Sequence, residues 1–112
     1  MRDQKNDMDV IAERQLVLRK DDGDIDVTVK IGRPELDASG ENWRCPYEIW
    51  FGDSFDTMAM HGVDSIQALQ LTIGTLDVEL EVGAKSRAGT LYLYDEPFTS
   101  MLENSGLQVR ST

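Results

Sequence analysis

The stretch Ile25-Asp26-Val27-Thr28-Val29-Lys30-Ile31 alternates apolar and polar side chains without a break. This two-residue period is that of a β-strand with one buried face and one solvated face. The preceding segment Lys20-Asp21-Asp22-Gly23-Asp24 contains an Asp-Gly pair that suits a tight hairpin turn. A first strand is predicted over 11–20, with Leu16 and Leu18 on one face. The two strands should form an antiparallel hairpin.

Two further strands are predicted downstream. Gly32-Arg33-Pro34 ends the second strand, and 36–42 is rich in turn-forming residues. A third strand spans 43–51, and its shared face holds alternate residues: Trp43, Cys45, Tyr47, Ile49 and Phe51. Pro46 lacks a backbone donor, which favours an edge strand or a bulge there. With a short fourth strand over 55–60, the chain predicts a four-stranded antiparallel meander.

A helix is predicted after His61-Gly62, where the apolar period changes from two to three or four. Asp64 can cap its start, and Gln67 can reach back as in a capping box. Its apolar face comprises Ile66, Leu69, Ile73, Leu76 and Leu80. The segment 76–82 also alternates strictly, so it either continues the helix or forms a strand paired with 90–94. We expect a strand over 90–94 and a short terminal helix over 97–104.

Four short segments resemble a bacterial family of domains of unknown function. They are Ile11-Ala12-Glu13-Arg14, Ile31-Gly32-Arg33-Pro34, Trp43-Arg44-Cys45-Pro46-Tyr47 and Gly62-Val63-Asp64-Ser65-Ile66-Gln67-Ala68-Leu69-Gln70. The resemblance covers Val10 to Leu76, and it implies a small stand-alone protein with several strands followed by a helix. It brings no assigned activity. We predict a flexible N-terminus over 1–9 and one α+β domain over 10–112, with an antiparallel sheet of at least four strands and one main helix on one face.

Composition restricts the classes of partner. The 112 residues carry a formal net charge of −10, and the window 35–64 is especially acidic. Such a charge repels phosphate backbones and anionic lipids, so no nucleic-acid partner and no membrane association are predicted. Cys45 is the only cysteine, and the sequence shows neither a signal peptide nor a membrane span. These features predict a cytoplasmic protein.

No catalytic or metal-binding motif is found. His61 is the only histidine, and its neighbours Asp64 and Ser65 stand at the predicted helix start. The acidic run 21–26 lacks the glycine and glutamate spacing of an EF-hand. Cys45 is predicted to be a packed, inert thiol. The sequence therefore predicts a protein that is not an enzyme and has no cofactor and no metal.

The aromatic cluster offers a candidate contact surface. Trp50 falls on the face opposite Tyr47, and it is predicted to form an exposed apolar patch with Met58 and Met60. Alternatively, the C-terminal segment with Leu91, Leu93 and Phe98 covers that face.

Three functions remain open from the sequence. The first is a non-enzymatic acidic protein-interaction module, for example an immunity-like protein that neutralises a basic toxin, with a protein partner or as a homodimer through sheet or helix. The second is a small-molecule binding or catalytic domain with a pocket between sheet and helix, lined by Tyr47, Glu48 and His61. The third is a structural subunit of a larger assembly.

Overall fold

The computed structural model describes residues 8–102. It is an α+β fold in which one helix packs on an antiparallel seven-stranded sheet, as the sequence predicts. The elements in chain order are β1 (Val10–Arg19), β2 (Ile25–Gly32), β3 (Glu35–Leu36), β4 (Trp43–Phe51), β5 (Ser54–Gly62), α1 (Ser65–Ser86), β6 (Thr90–Leu93) and β7 (Glu96–Pro97). The four strands predicted for the meander correspond to β1, β2, β4 and β5.

The long strands lie in the order β5, β4, β2, β1, β6, and β7 follows β6 at the far edge. Consecutive hairpins build the meander, and α1 then carries the chain across the sheet so that β6 pairs with β1. Of the two positions predicted for Pro46, an edge strand or a bulge, the edge strand is wrong, because β4 has neighbours on both sides. Pairing of β4 with β2 stops at Tyr47, and pairing with β3 involves only Arg44 and Trp43. Pro46 therefore lies where the ladder is interrupted, and its missing donor is tolerated there.

The hydrophobic core lies between α1 and one face of the sheet. The sheet contributes mainly aliphatic side chains: Leu16, Leu18, Val27, Val29, Ile31 and Ile49. The buried residues of α1 are Ala68, Thr72, Leu76, Leu80 and Ala84. Ile66, predicted on this face, is exposed, while Leu69 and Ile73 are only partly buried. The small residues Ala68 and Thr72 face the sheet instead, and the Thr72 hydroxyl donates to the Ala68 carbonyl at 2.9 Å.

The predicted capping of α1 is confirmed. Oδ1 of Asp64 accepts from the Gln67 backbone N–H at 2.7 Å, and Oε1 of Gln67 accepts from the Val63 backbone N–H at 2.8 Å. The Gln67 N–H is one of the amide donors that a helix start leaves without an intrahelical partner, and the Val63 N–H belongs to the residue before the cap.

The helix continues through 76–82, so the strand alternative is wrong. A strand would place Leu76, Val78, Leu80 and Val82 on one face. In the helix, Leu76 and Leu80 stand four residues apart and are buried, whereas Val78 and Val82 are exposed. Burial of the leucines against the sheet thus outweighs the local alternation.

The segment after β6 forms a hairpin and contains no helix in its described part, 97–102, contrary to the prediction. Tyr94 and Asp95 have φ of 51° and 68°, which builds a tight turn. The Phe98 N–H then donates to the Leu91 carbonyl at 2.9 Å, and the Met101 N–H donates to Asp77 Oδ1 at 2.6 Å. The Met101 N–H, which a helix over 97–104 would use internally, is thus taken by α1, and the bond from Phe98 holds the segment against β6.

Two further predictions concern the ends of the chain. Positions 103–104 of the predicted terminal helix lie outside the described residues. The predicted flexible segment 1–9 also lies outside them, apart from Met8 and Asp9. Asp9 Oδ2 accepts from Arg33 Nε at 2.8 Å.

Candidate functional site

The sheet face opposite α1 is called the open face. Register defines its members, because directly paired residues of antiparallel strands point to the same side. Its central side chains are Thr28, Lys30, Arg44, Glu48, Trp50, Phe55, Thr57 and His61. Within residues 8–102, α1 packs only on the other face, and the segment 98–102 bonds to α1 and to Arg14 rather than crossing the open face. The described C-terminal residues therefore do not cover Trp50.

An aromatic pair occupies the open face near the β4–β5 turn. Trp50 lies opposite Phe55, and their rings stack with centroids 4.2 Å apart and planes inclined by 12°. Phe55 is 48% exposed, and Trp50 is half-buried. Lys30 Nζ lies 5.7 Å from the centroid of the Trp50 ring. We call this pair the Trp50–Phe55 stack.

The buried Glu48 side chain holds the Trp50 ring of the stack in place through a hydrogen bond. Its side chain is only 2% exposed, and Oε1 accepts from the indole Nε1–H of Trp50 at 2.9 Å. The register places Lys30 on one side of Glu48 and Thr57 on the other. A hydrogen bond of this kind to a carboxylate is stronger than one between neutral groups. The indole is thus held in one orientation while part of its ring remains accessible.

The predicted patch of Trp50, Met58 and Met60 is not a single surface. Met58 lies opposite Tyr47 and Met60 opposite Cys45, so both methionines are on the helix face. The methionines lie on the helix face because the two-residue turn Gly52-Asp53 pairs Phe51 with Ser54. It places even-numbered residues of β5 on the same side as odd-numbered residues of β4.

Phe55 is the partner of Trp50 that the sequence interpretation missed. The Gly-Asp pair at positions 52–53 was the signal that could have revealed it. A two-residue hairpin loop fixes the register of both strands, and this register brings Phe55 beside Trp50.

A hollow of about 430 Å³ lies beside the stack at the end of the open face. Two guanidinium groups, from Arg33 and Arg44, and the carboxylates of Asp9, Glu35 and Glu48 line it. Arg33 is already paired with Asp9, and this carboxylate raises the pKa of the guanidinium. The hollow therefore presents charges of both signs and favours no single charge type of ligand.

The three residues expected to line a pocket do not converge. Tyr47 lies under α1, where its hydroxyl donates to Oε2 of Glu79, whereas Glu48 and His61 are on the open face. Burial, with the hydrogen bond to Glu79 and its charge, raises the pKa of Tyr47 above the ordinary range of tyrosine. This partly buried contact joins β4 to α1.

Cys45 is buried, as predicted. Its Sγ–H donates to the Gly32 carbonyl at 3.6 Å, and burial raises the pKa of the thiol. Within residues 8–102, no three potential metal-ligating side chains come together. No helix in that part of the chain is both long and apolar enough to cross a bilayer.

Comparison with known proteins adds a family assignment. No curated protein and no solved structure gives a significant match to the chain. A family profile matches residues 12–101, which extends the likeness beyond Leu76 through the end of α1, β6 and β7. Because this match spans most of the sequence, the chain belongs to the family described as Domain of unknown function (DUF6968).

Proposed function

We propose that this domain is a non-enzymatic, cytoplasmic protein-binding module whose contact surface is the open face. The observation that carries the proposal is the Trp50–Phe55 stack, half-exposed and anchored by the buried Glu48. Aromatic side chains dominate the energy of protein interfaces. An indole already held in place loses little conformational entropy when a partner binds.

The charge distribution points to a basic partner. Formal charges on the open face nearly balance. The acids are Glu13, Asp26, Glu35 and Glu48, and the bases are Arg19, Lys30 and Arg44. Most of the net charge of −10 therefore comes from outside this face. At one end of the sheet, the adjacent β1–β2 and β4–β5 turns carry Asp21, Asp22, Asp24 and Asp53. Acidic turns beside a nearly neutral aromatic surface would steer a basic protein toward the stack. Neutralisation of a basic toxin is one activity of this kind.

A small-molecule site between sheet and helix has weaker support. One hollow, of about 300 Å³, lies between β4, β5 and the second half of α1, and another, of about 380 Å³, lies between α1 and β6. In the first, Glu79 already accepts from Tyr47, and the Arg87 guanidinium lies 4.0 Å from the centroid of the Phe51 ring. In the second, Asp77 already accepts from the Met101 N–H, and Lys85 is paired with Glu81. Ligand sites normally offer several polar groups that converge on the ligand. Here the polar groups are already engaged with neighbouring residues, which weakens the case for a small-molecule site.

The proposal is tested with Phe55→Ser, since Phe55 is exposed and its loss should leave the core intact. The matched control is Tyr94→Ser, which removes an exposed aromatic ring from the β6–β7 turn. Wild type and both variants are immobilised and exposed to extract from the source organism. Circular dichroism confirms that each folds.

We expect wild type and the Tyr94→Ser control to retain the same basic proteins, and Phe55→Ser to lose them. Retention should also weaken as salt is raised, because steering by charge is screened. Identical retention by Phe55→Ser and wild type would refute a contact through the open face.

A further inference from the structure

β5 is an unprotected edge strand. Among the described residues its only strand partner is β4, and the ladder from Phe51↔Ser54 to Trp43↔Gly62 contains no bulge. The strand contains no proline and no lysine, which are the residues that commonly block edge-to-edge pairing. The opposite edge, β7, has two residues and ends in Pro97. The two edges thus differ in their capacity to accept another strand.

An apolar stripe of α1 runs alongside this edge. Leu71, Thr75, Val78 and Val82 follow a spacing of four, three and four residues, which places them on one flank of the helix. This flank faces β5 at Val82, which borders the hollow that also contains Asp56. Val78 borders this hollow and also the one between α1 and β6. Val78 is 60% exposed and Val82 61%, and Met58 on β5 is 53% exposed. We call these residues, together with the outer edge of β5, the β5 surface.

We propose that the β5 surface binds a second copy of the chain, with the two β5 strands antiparallel about a two-fold axis. The two sheets would become one, and both helices would lie on the same side with their apolar stripes in contact. An antiparallel pair of identical strands is self-complementary, so one surface serves both copies. This self-association uses the backbone edge of β5 and the flank of α1, whereas the proposed function uses side chains of the open face. The two surfaces share only residues of β5, among them Phe55.

Local charge permits the approach of two acidic chains. β5 contains one carboxylate, Asp56, and no lysine or arginine. Glu79 of α1 borders the same hollow as Asp56, and it already accepts a hydrogen bond from the Tyr47 hydroxyl. A two-fold axis near Met58 would pair Asp56 with Met60 of the second copy. The two Asp56 residues would then be four strand positions apart, about 13 Å, which exceeds the screening length at physiological salt.

The size of the surface also fits a dimer. A nine-residue strand is about 30 Å long, and the sheet and helix layers together are about 20 Å deep. The contact would cover about 600 Å² on each copy, or about 1,200 Å² in total, the lower bound of stable protein interfaces.

Sedimentation equilibrium of the full-length chain tests the proposal. We expect wild type to dimerise, and Val78→Lys and Met58→Lys each to weaken association at least tenfold. The matched control is Ile66→Lys, which changes an equally exposed apolar residue of α1 outside the stripe. Tyr94→Ser, in the β6–β7 turn at the opposite edge of the sheet, should also dimerise like wild type.

Hydrogen exchange then locates the contact. Backbone amides of β5 should become more protected as protein concentration rises through the dimerisation range. A wild type that stays monomeric would overturn the proposal, as would dimers retained by both lysine variants. A dimer lost in Tyr94→Ser, or one without added protection of β5, would place the interface elsewhere and overturn the proposal equally.

Discussion

Replacing Tyr47 with phenylalanine isolates the hydrogen bond that links β4 to α1. The ring of Tyr47 is buried and would keep its packing, while the bond from its hydroxyl to Glu79 would be lost. A hydrogen bond to a charged group contributes about 1.5–3 kcal/mol. Glu79 is only half-buried and can recover water, so we expect a loss of about 1–2 kcal/mol. The melting temperature should fall by about 4–8 °C.

The same substitution should change the response to alkaline pH. Burial, with the contact to Glu79, raises the pKa of Tyr47 in the folded protein, whereas an unfolded tyrosine ionises near pH 10. Above that pH the unfolded state binds fewer protons than the folded state, so stability falls as pH rises. The contribution of Tyr47 is complete below pH 10 and should shrink by about 1.4 kcal/mol at pH 11. The phenylalanine variant lacks this loss.

Urea unfolding at pH 8 and pH 11, followed by circular dichroism, measures both effects. Wild type should be more stable than Tyr47→Phe at pH 8, and most of this difference should disappear at pH 11. Titration of Cys45 occurs in both proteins and cancels in the comparison. Tyr94→Phe, in an exposed turn, is the control and should match wild type at both values. A difference between wild type and Tyr47→Phe that is unchanged from pH 8 to pH 11 would refute this reasoning.

Three further predictions concern the backbone and the thiol. In Gly62→Ala the added Cβ would lie 2.6 Å from the backbone nitrogen of Ala68, so we expect a loss of about 1–3 kcal/mol in urea unfolding; a neutral result would mean that the start of α1 moves freely. Ala88→Gly should raise stability by about 1 kcal/mol, because Ala88 ends the helix with φ of 55°, a conformation that favours glycine; a lower melting temperature would contradict this. Cys45 should resist a thiol-reactive disulfide reagent in the native protein and react once urea unfolds it. Rapid labelling in native buffer would show that the site opens.

Features determined by neighbouring residues were predictable from the sequence. The alternation in β2, the Asp-Gly turn before it and the capping of α1 by Asp64 and Gln67 all depend on contacts within a few positions. These features arise from side-chain period, turn geometry and local hydrogen bonds, so the sequence alone predicts them. The α+β class and the meander follow from these signals.

Tertiary structure decided the features that depend on distant pairing. Segment 76–82 carries both a strand period and a helix period, and burial of Leu76 and Leu80 against the sheet selects the helix. The face on which Met58 lies depends on the register of β5 against β4, and a shift by one residue would reverse it. The partner of Trp50, the open face and the unprotected edge of β5 exist only once the strands are ordered. That order is set by hydrogen bonds and packing between residues far apart in the chain, which local periodicity does not encode.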